Sequence, residues 1–186
     1  MPKLTSDEQT ELLNCPGVLM RIAVVNADGA PSVTPIWFLH HDSAILFTPR
    51  LKSAWYRRIQ ADPRVALCID EDRLPYRKVL VEGVSELVHS PGEDDQWRDQ
   101  YLAMATKYVG DRGAERYLEN TINEPRALLK VSLAAAKVSS WRMPVERASP
   151  PWVFGRTATT SPRRNSDSIF NKAETISWIV VQLYID

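Results

Sequence analysis

The stretch "LFTPRLKSAWYRRIQADPRVAL", Leu46 to Leu67, decides how this chain is read. It opens as an apolar strand, breaks at Thr48-Pro49, and then presents Arg50, Lys52, Ser53, Arg57 and Arg58 in quick succession. "SAWYRRIQA" (53–61) fits a short helix with Ala54, Ile59 and Ala61 on one face, and Asp62-Pro63 ends it before the next strand begins. A helix N-terminus carries unpaired N–H groups and partial positive charge, so a phosphate settles there readily. Ser53 stands at the N-cap, Arg50 and Lys52 just before it, and Thr48 adds a hydroxyl. Arg57 or Arg58, one turn in, can reach back with a guanidinium fork suited to phosphate. The plainer alternative is a solvated basic turn neutralised by Asp62, Glu71 and Asp72.

Working outward, Thr5 and Glu8 form a capping box that opens a helix ending near Asn14, and Pro16-Gly17 stops it. "VLMRIAVV" (18–25) and "PSVTPIWFL" (31–39) read as a hairpin around Asn26-Ala27-Asp28-Gly29, with Pro31 and Pro35 confining the second strand to an edge. The next turn is His40 to Ser43, followed by a third strand at 44–48. Strands at 64–70 and 77–88 come next. Ser90 to Glu93 reads as a second capping box for a helix running to Val109, and Gly110 separates it from a further helix at 114–122. Strands at 126–133 and 137–143 close the domain. Short adjacent strands with few helices favour an antiparallel barrel.

Composition narrows the function classes. The chain has 186 residues, 44% hydrophobic and 25% charged, with no formal net charge. That is a soluble globular composition, and it argues against a nucleic-acid binder driven by bulk charge. The longest uncharged run, near the end, is too short to span a bilayer, and no signal peptide is visible, so the cytoplasm is the expected location. Cys15 and Cys68 make neither a disulfide framework nor a metal spacing. His40, His41 and His89 lack cysteine or carboxylate neighbours at ligand spacing, so no metal site is expected. Nucleotide loops and a nucleophile elbow are absent. Trp37 and Trp141 stand in strands that could flank one cleft. From Pro144 onward the chain is rich in proline, serine and arginine and reads as an irregular tail (144–186). Its end, "ISWIVVQLYI", needs a cover such as a second subunit.

Taken together, "RIAVVNADGAPSVTPIWFL", "ILFTPRLKSAWYRRIQADPRVALCID", "PYRKVLVEG" and "VSSWRM" resemble the pyridoxamine 5'-phosphate oxidase-like family of flavin-binding split barrels. The matches fall in order across roughly residues 10 to 143. The resemblance implies a mainly β domain (1–143) with flanking helices, a six-stranded antiparallel split barrel. It implies a homodimer with cofactor clefts at the subunit interface. The implied cofactor is flavin mononucleotide, with a deazaflavin coenzyme or haem as the alternatives found among relatives. The implied activity is hydride transfer between the cofactor ring and a small planar or conjugated substrate, or else carriage of a flavin or haem without turnover, with His40, His41 or His89 as a haem ligand.

Position by position, Thr34, Pro35, Ile36 and Trp37 match the strand lying along the flavin ring. Thr48, Arg50, Lys52 and Ser53 match the phosphate turn, and Arg58 a residue reaching the phosphate or ribityl chain. Tyr76, Arg77 and Lys78 match a segment that contacts the ring or chain. Trp141 and Arg142 match a strand supplied by the partner subunit. Lys78 or Arg142 is the candidate to stabilise negative charge on the reduced ring. One departure stands out: Trp55 occupies the place where most relatives carry a phosphate-gripping lysine. A second phosphate site, as pyridoxamine phosphate oxidation needs, would have to come from Arg156, Arg163 and Arg164 of the tail.

Overall fold

The computed structural model describes residues 1–144; the tail from Val145, with Arg156, Arg163, Arg164 and the terminal apolar run, lies outside the described residues. Within residues 1–144 the chain alternates short strands with three helices. In order they are α1 (Ser6–Asn14), β1 (Met20–Val25), β2 (Pro31–Ile36), β3 (Leu39–His41), β4 (Ala44–Phe47), α2 (Ala54–Ala61), β5 (Arg64–Asp70), β6 (Lys78–Val84), β7 (Glu86–His89), α3 (Arg98–Thr121), β8 (Leu128–Ser132) and β9 (Lys137–Trp141). The strands form a five-stranded sheet, β2-β1-β5-β6-β9, and a four-stranded sheet, β3-β4-β8-β7. Every pairing is antiparallel.

Alternation builds the core. Met20, Ile22 and Val24 of β1, Val65, Leu67 and Ile69 of β5, and Val79 and Val81 of β6 all point inward. They meet Ile45 and Phe47 of β4 and Leu129 and Val131 of β8 from the other sheet. Each such side chain contributes about 1.5–3 kcal/mol by leaving water. Gly83 lets the sheets approach: a Cβ there would lie 3.1 Å from both Val131 Cγ1 and Ala136 Cβ. Together the sheets make the antiparallel split barrel.

Two segments that read as continuous strands are each broken where they pass between sheets. The strand expected at 31–39 splits into β2 and β3 around Trp37-Phe38, and that at 77–88 splits into β6 and β7 at Ser85. Each segment serves two sheets, and sequence alternation does not report a change of partner. The first crossing is pinned by Tyr108 of α3, whose hydroxyl donates to the Val18 carbonyl at 2.9 Å and accepts from Phe38 N–H at 3.1 Å. Pro31 and Pro35 do lie in an edge strand, β2.

The turn expected at His40–Ser43 is tighter than the sequence suggested. His40 and His41 belong to β3, and only Asp42 (φ 47°) and Ser43 (φ 57°) make the hairpin. Two positive φ values give the turn whose twist suits antiparallel strands. The capping box at Thr5 is complete: Thr5 Oγ1 accepts from Glu8 N–H and Glu8 Oε2 accepts from Thr5 N–H. The second box is only half made. Ser90 N–H donates to Glu93 at 2.7 Å, but Asp94 then caps Gly92 N–H and a 3-10 turn (Asp94–Gln96) intervenes, so α3 begins at Arg98 instead. Gly110 (φ 69°, ψ 171°) interrupts α3 with a backbone essentially reserved for glycine.

Candidate functional site

The loop between β4 and α2 takes its shape from the segment just before β8. Leu51 N–H donates to the Pro125 carbonyl and Ala127 N–H to the Pro49 carbonyl, while Arg50 and Arg126 face each other in an antiparallel bridge. Arg126, 4% exposed, donates to the Thr48 carbonyl at 3.3 Å and to Tyr117 Oη at 3.2 Å, and its guanidinium lies over the Tyr101 ring. The turn is therefore held from below by a buried cation.

Arg50 and Lys52 come together on one carboxylate. Glu124 lies 2.9 Å from Arg50 Nε and 3.3 Å from Lys52 Nζ. The neutralisers expected from sequence are engaged elsewhere: Asp62 with Arg64, Glu71 with Arg77, Asp72 near Arg73. Glu124, the carboxylate that meets the turn, carried no sequence signal, because its partners lie far upstream in the chain. Ser53 is the N-cap of α2, yet its side chain makes no capping hydrogen bond. Its hydroxyl and the first N–H groups of α2 are thus available to an oxyanion, with Lys52 mostly exposed beside them. Thr48 offers less, as its hydroxyl lies 4.0 Å from Met104 Sδ. These residues fit a phosphoryl group. Trp55, at the place where relatives carry lysine, packs on Phe47 instead.

Arg58 leaves the turn and donates to Ser32 Oγ at 3.0 Å, tying α2 to β2. Thr34, Pro35 and Ile36 lie on that edge strand, partly buried. Trp37 follows at the sheet crossing, stacked on Tyr108 with 4.9 Å between ring centroids and planes within 1°, and tilted against Tyr117. One face of Trp37 is thus covered by the protein's own helix.

Tyr76, Arg77 and Lys78 lie at the opposite side of the five-stranded sheet. Tyr76 is exposed, with φ 54°. Arg77 grips Glu71 through a two-pronged set of bonds and reaches Glu11 of α1 at 3.1 Å. These bonds to Glu71 raise the Arg77 pKa; burial raises that of Glu71, but the arginine outweighs it and the net shift is downward. Lys78 pairs with Trp141 across β6 and β9 and sets its ammonium 4.4 Å from that ring. Arg142 meets Glu8 of α1 at 3.2 Å. Arg77 and Arg142 therefore clasp α1, while Lys78 and Trp141 form a separate pair.

β2 and β9 are the two edges of one sheet, four strand steps apart, roughly 19 Å along it. The register Ile36–Met20–Ile69–Val79–Ser140 nonetheless puts Trp37 and Trp141 toward the same end. His41 lies 3.1 Å from Asp42 and His89 3.6 Å from Glu93. Among the described residues no group of three or more His, Cys, Asp or Glu could hold a metal ion, and no helix is long and apolar enough to cross a membrane.

With that geometry in place, comparison with known proteins is specific. The family described as pyridoxamine 5'-phosphate oxidase matches residues 5–141. The chain belongs to this family. No curated protein matches it. Among solved structures, a conserved hypothetical protein from Mycobacterium tuberculosis is 22% identical, with 80% of this chain and 94% of that one covered and a TM-score of 0.62. An FAD-binding protein from Mesorhizobium loti is 20% identical, covering 75% and 93%, with a TM-score of 0.54. An F420 reductase is 27% identical, covering 68% and 94%, with a TM-score of 0.50. The split-barrel architecture of residues 1–144 agrees with this membership.

Proposed function

We propose that the chain is a flavin-type oxidoreductase, binding flavin mononucleotide or a deazaflavin relative with the phosphoryl end at the Thr48–Ser53 turn. The observation that carries this reading is the uncapped N-terminus of α2, with Ser53 free of a capping bond and Lys52 exposed beside it. A cap residue that does not cap leaves its hydroxyl and the helix N–H groups for an anion. Membership of the family supports the same reading.

The bound ring would supply the hydride chemistry, at N5 of a flavin or at the carbon that replaces it in a deazaflavin. The protein's part is to hold and polarise it. The backbone of Thr34 to Trp37, on an edge strand tied to α2 through Arg58 and Ser32, offers a fixed line for the ring to lie along. Lys78 offers the cation for negative charge on the reduced ring, and its packing on Trp141 limits where its ammonium can go. β2 and β9 lie at opposite edges of the sheet, so a cleft using Trp37 and Trp141 is best made by two copies of the chain. A small planar or conjugated substrate would stack on the open ring face near Trp141.

Extraction of cofactor from the purified protein, with mass spectrometry, tests the reading directly. Bound flavin gives an absorbance band near ~450 nm that belongs to the ring itself. Deazaflavin is separated from flavin by mass. A preparation that carries no such ring and takes up neither on titration would refute the proposal.

A further inference from the structure

Arg126 and Tyr117 are both buried, and the arginine donates to the tyrosine hydroxyl at 3.2 Å. Each also touches one end of the proposed cleft. Arg126 donates to the Thr48 carbonyl at 3.3 Å, where the turn begins. Tyr117 packs on Trp37, with 4.8 Å between ring centroids and the planes tilted by 48°. Turn and ring wall are thus joined through two side chains, in the order Thr48, Arg126, Tyr117, Trp37.

The charge makes this joint stiff. A guanidinium keeps its proton in a folded protein, and burying it is costly unless its N–H groups find acceptors. The groups that meet it here are all neutral: the Thr48 carbonyl, the Tyr117 hydroxyl and the Tyr101 ring, whose centroid lies 5.0 Å from the guanidinium carbon. Asp94 is bonded to the backbone instead, through one oxygen to Arg126 N–H and through the other to Gly92 N–H. Loss of either oxygen acceptor leaves a buried charge short of a partner, so both are held. The Tyr117 phenol is therefore fixed at its far end, and its ring cannot swing away from Trp37 without breaking a charge-assisted bond. Trp37 is gripped by both halves of α3, by Tyr108 before the Gly110 break and by Tyr117 after it.

We propose that Arg126 and Tyr117 act as one positioning unit, setting the Thr48–Ser53 turn and the Trp37 ring relative to each other so that both ends of a phosphorylated ring ligand are met at once. They act through Thr48 and Trp37, not on the ligand itself. This rests on the reading of the turn and of the Thr34–Trp37 segment as the cofactor cleft.

The test reads each substitution at the end it does not touch, in the full chain without ligand. Tyr117→Phe removes one oxygen and keeps the ring. It speeds amide exchange at Leu51 and Ala127, whose N–H groups hold the turn to the segment before β8. Arg126→Lys keeps the charge and loses the fork, and it shifts or broadens the Trp37 indole resonance in NMR spectra. Gly83→Ala, a packing change between the sheets, controls for lost stability and moves neither signal selectively. In titrations, Tyr117→Phe weakens flavin mononucleotide by about tenfold, the scale of one hydrogen bond to a charged group, and riboflavin much less. Signals confined to the end that each residue touches, or matching those of Gly83→Ala, would show two separate packing residues and overturn the proposal. So would unchanged affinity for flavin mononucleotide in both variants. If Arg126→Lys does not fold, exchange at Leu51 and Ala127 in Tyr117→Phe decides the matter. If the wild type binds neither ligand, the proposed function falls, while the crossed signals still decide whether the two residues move as a unit.

Discussion

Lys107 sets its ammonium 3.3 Å from the centroid of the Phe38 ring while donating to the Leu13 carbonyl at 2.8 Å. It thereby closes the C-terminal end of α1, which has no basic residue in its own last turn. Phe38 is the residue at which the chain crosses between sheets, so one lysine of α3 touches both the helix end and the crossing. Burial pushes the Lys107 ammonium down from 10.5 to about 7, and the same charge helps lower the pKa of half-buried His40, after burial.

The pH dependence follows from that shift. Above pH 7 the folded lysine is neutral while the unfolded one still binds a proton, so stability gained from this site rises between about pH 7 and 10. Below pH 7 both states are protonated and the cost of burying the charge is constant. Melting temperatures of the wild type and Lys107→Met across this range give the measure. The difference between them moves in favour of the wild type as pH rises; a constant difference would show that Lys107 titrates normally.

Arg77 holds Glu71 and Glu11 with its side chain only 15% exposed. Arg77→Ala strands a largely buried carboxylate, and a loss of about 2–3 kcal/mol is expected in urea denaturation. Arg77→Lys keeps the charge but loses the two-pronged grip, and should fall between. Equal stability of the alanine variant and the wild type would contradict the clasp.

Ser53 provides a contrast. Its side chain makes no capping bond, so Ser53→Ala should change stability by less than about 0.5 kcal/mol, well short of an ordinary cap loss. The same substitution should weaken binding of a phosphorylated flavin, with little effect on riboflavin. A large stability loss would mean that the hydroxyl caps α2 after all.

Gly83→Ala tests the contact between the sheets. The added methyl would press on Val131 and Ala136 at 3.1 Å, and about 1–3 kcal/mol of destabilisation is expected from chemical denaturation. Pairing it with Val131→Ala should recover part of that loss, since the two share one space.

Local signals carried much of this fold. The Thr5–Glu8 box, the Asn26–Gly29 hairpin, the proline-marked edge strand and the break at Gly110 all depend on neighbours in sequence, and each is where the residues indicate. The crossings at Trp37-Phe38 and Ser85 do not, because a strand keeps its extended backbone while changing partners. The site divides in the same way. Thr48, Arg50, Lys52 and Ser53 share one loop, as their spacing implies. Glu124 and Arg126 reach it only through the pairing of the two distant segments. An arginine opening the apolar run "ALLKV" was the one visible oddity there. That Arg77 and Arg142 would hold α1 was equally hidden, since Glu8, Glu11 and Glu71 look like any surface acids.

The fastening of α1 also has a temporal side. Gln9 bonds Ser140 across 131 residues, and Pro2 accepts from Arg142 N–H, so α1 is synthesised well before the last described strand that ties it down. Leu12 and Leu13 can pack earlier, since α1 lies against β3, β5 and β6, but a nascent chain halted before Ser140 lacks the polar ties that fasten the helix in place.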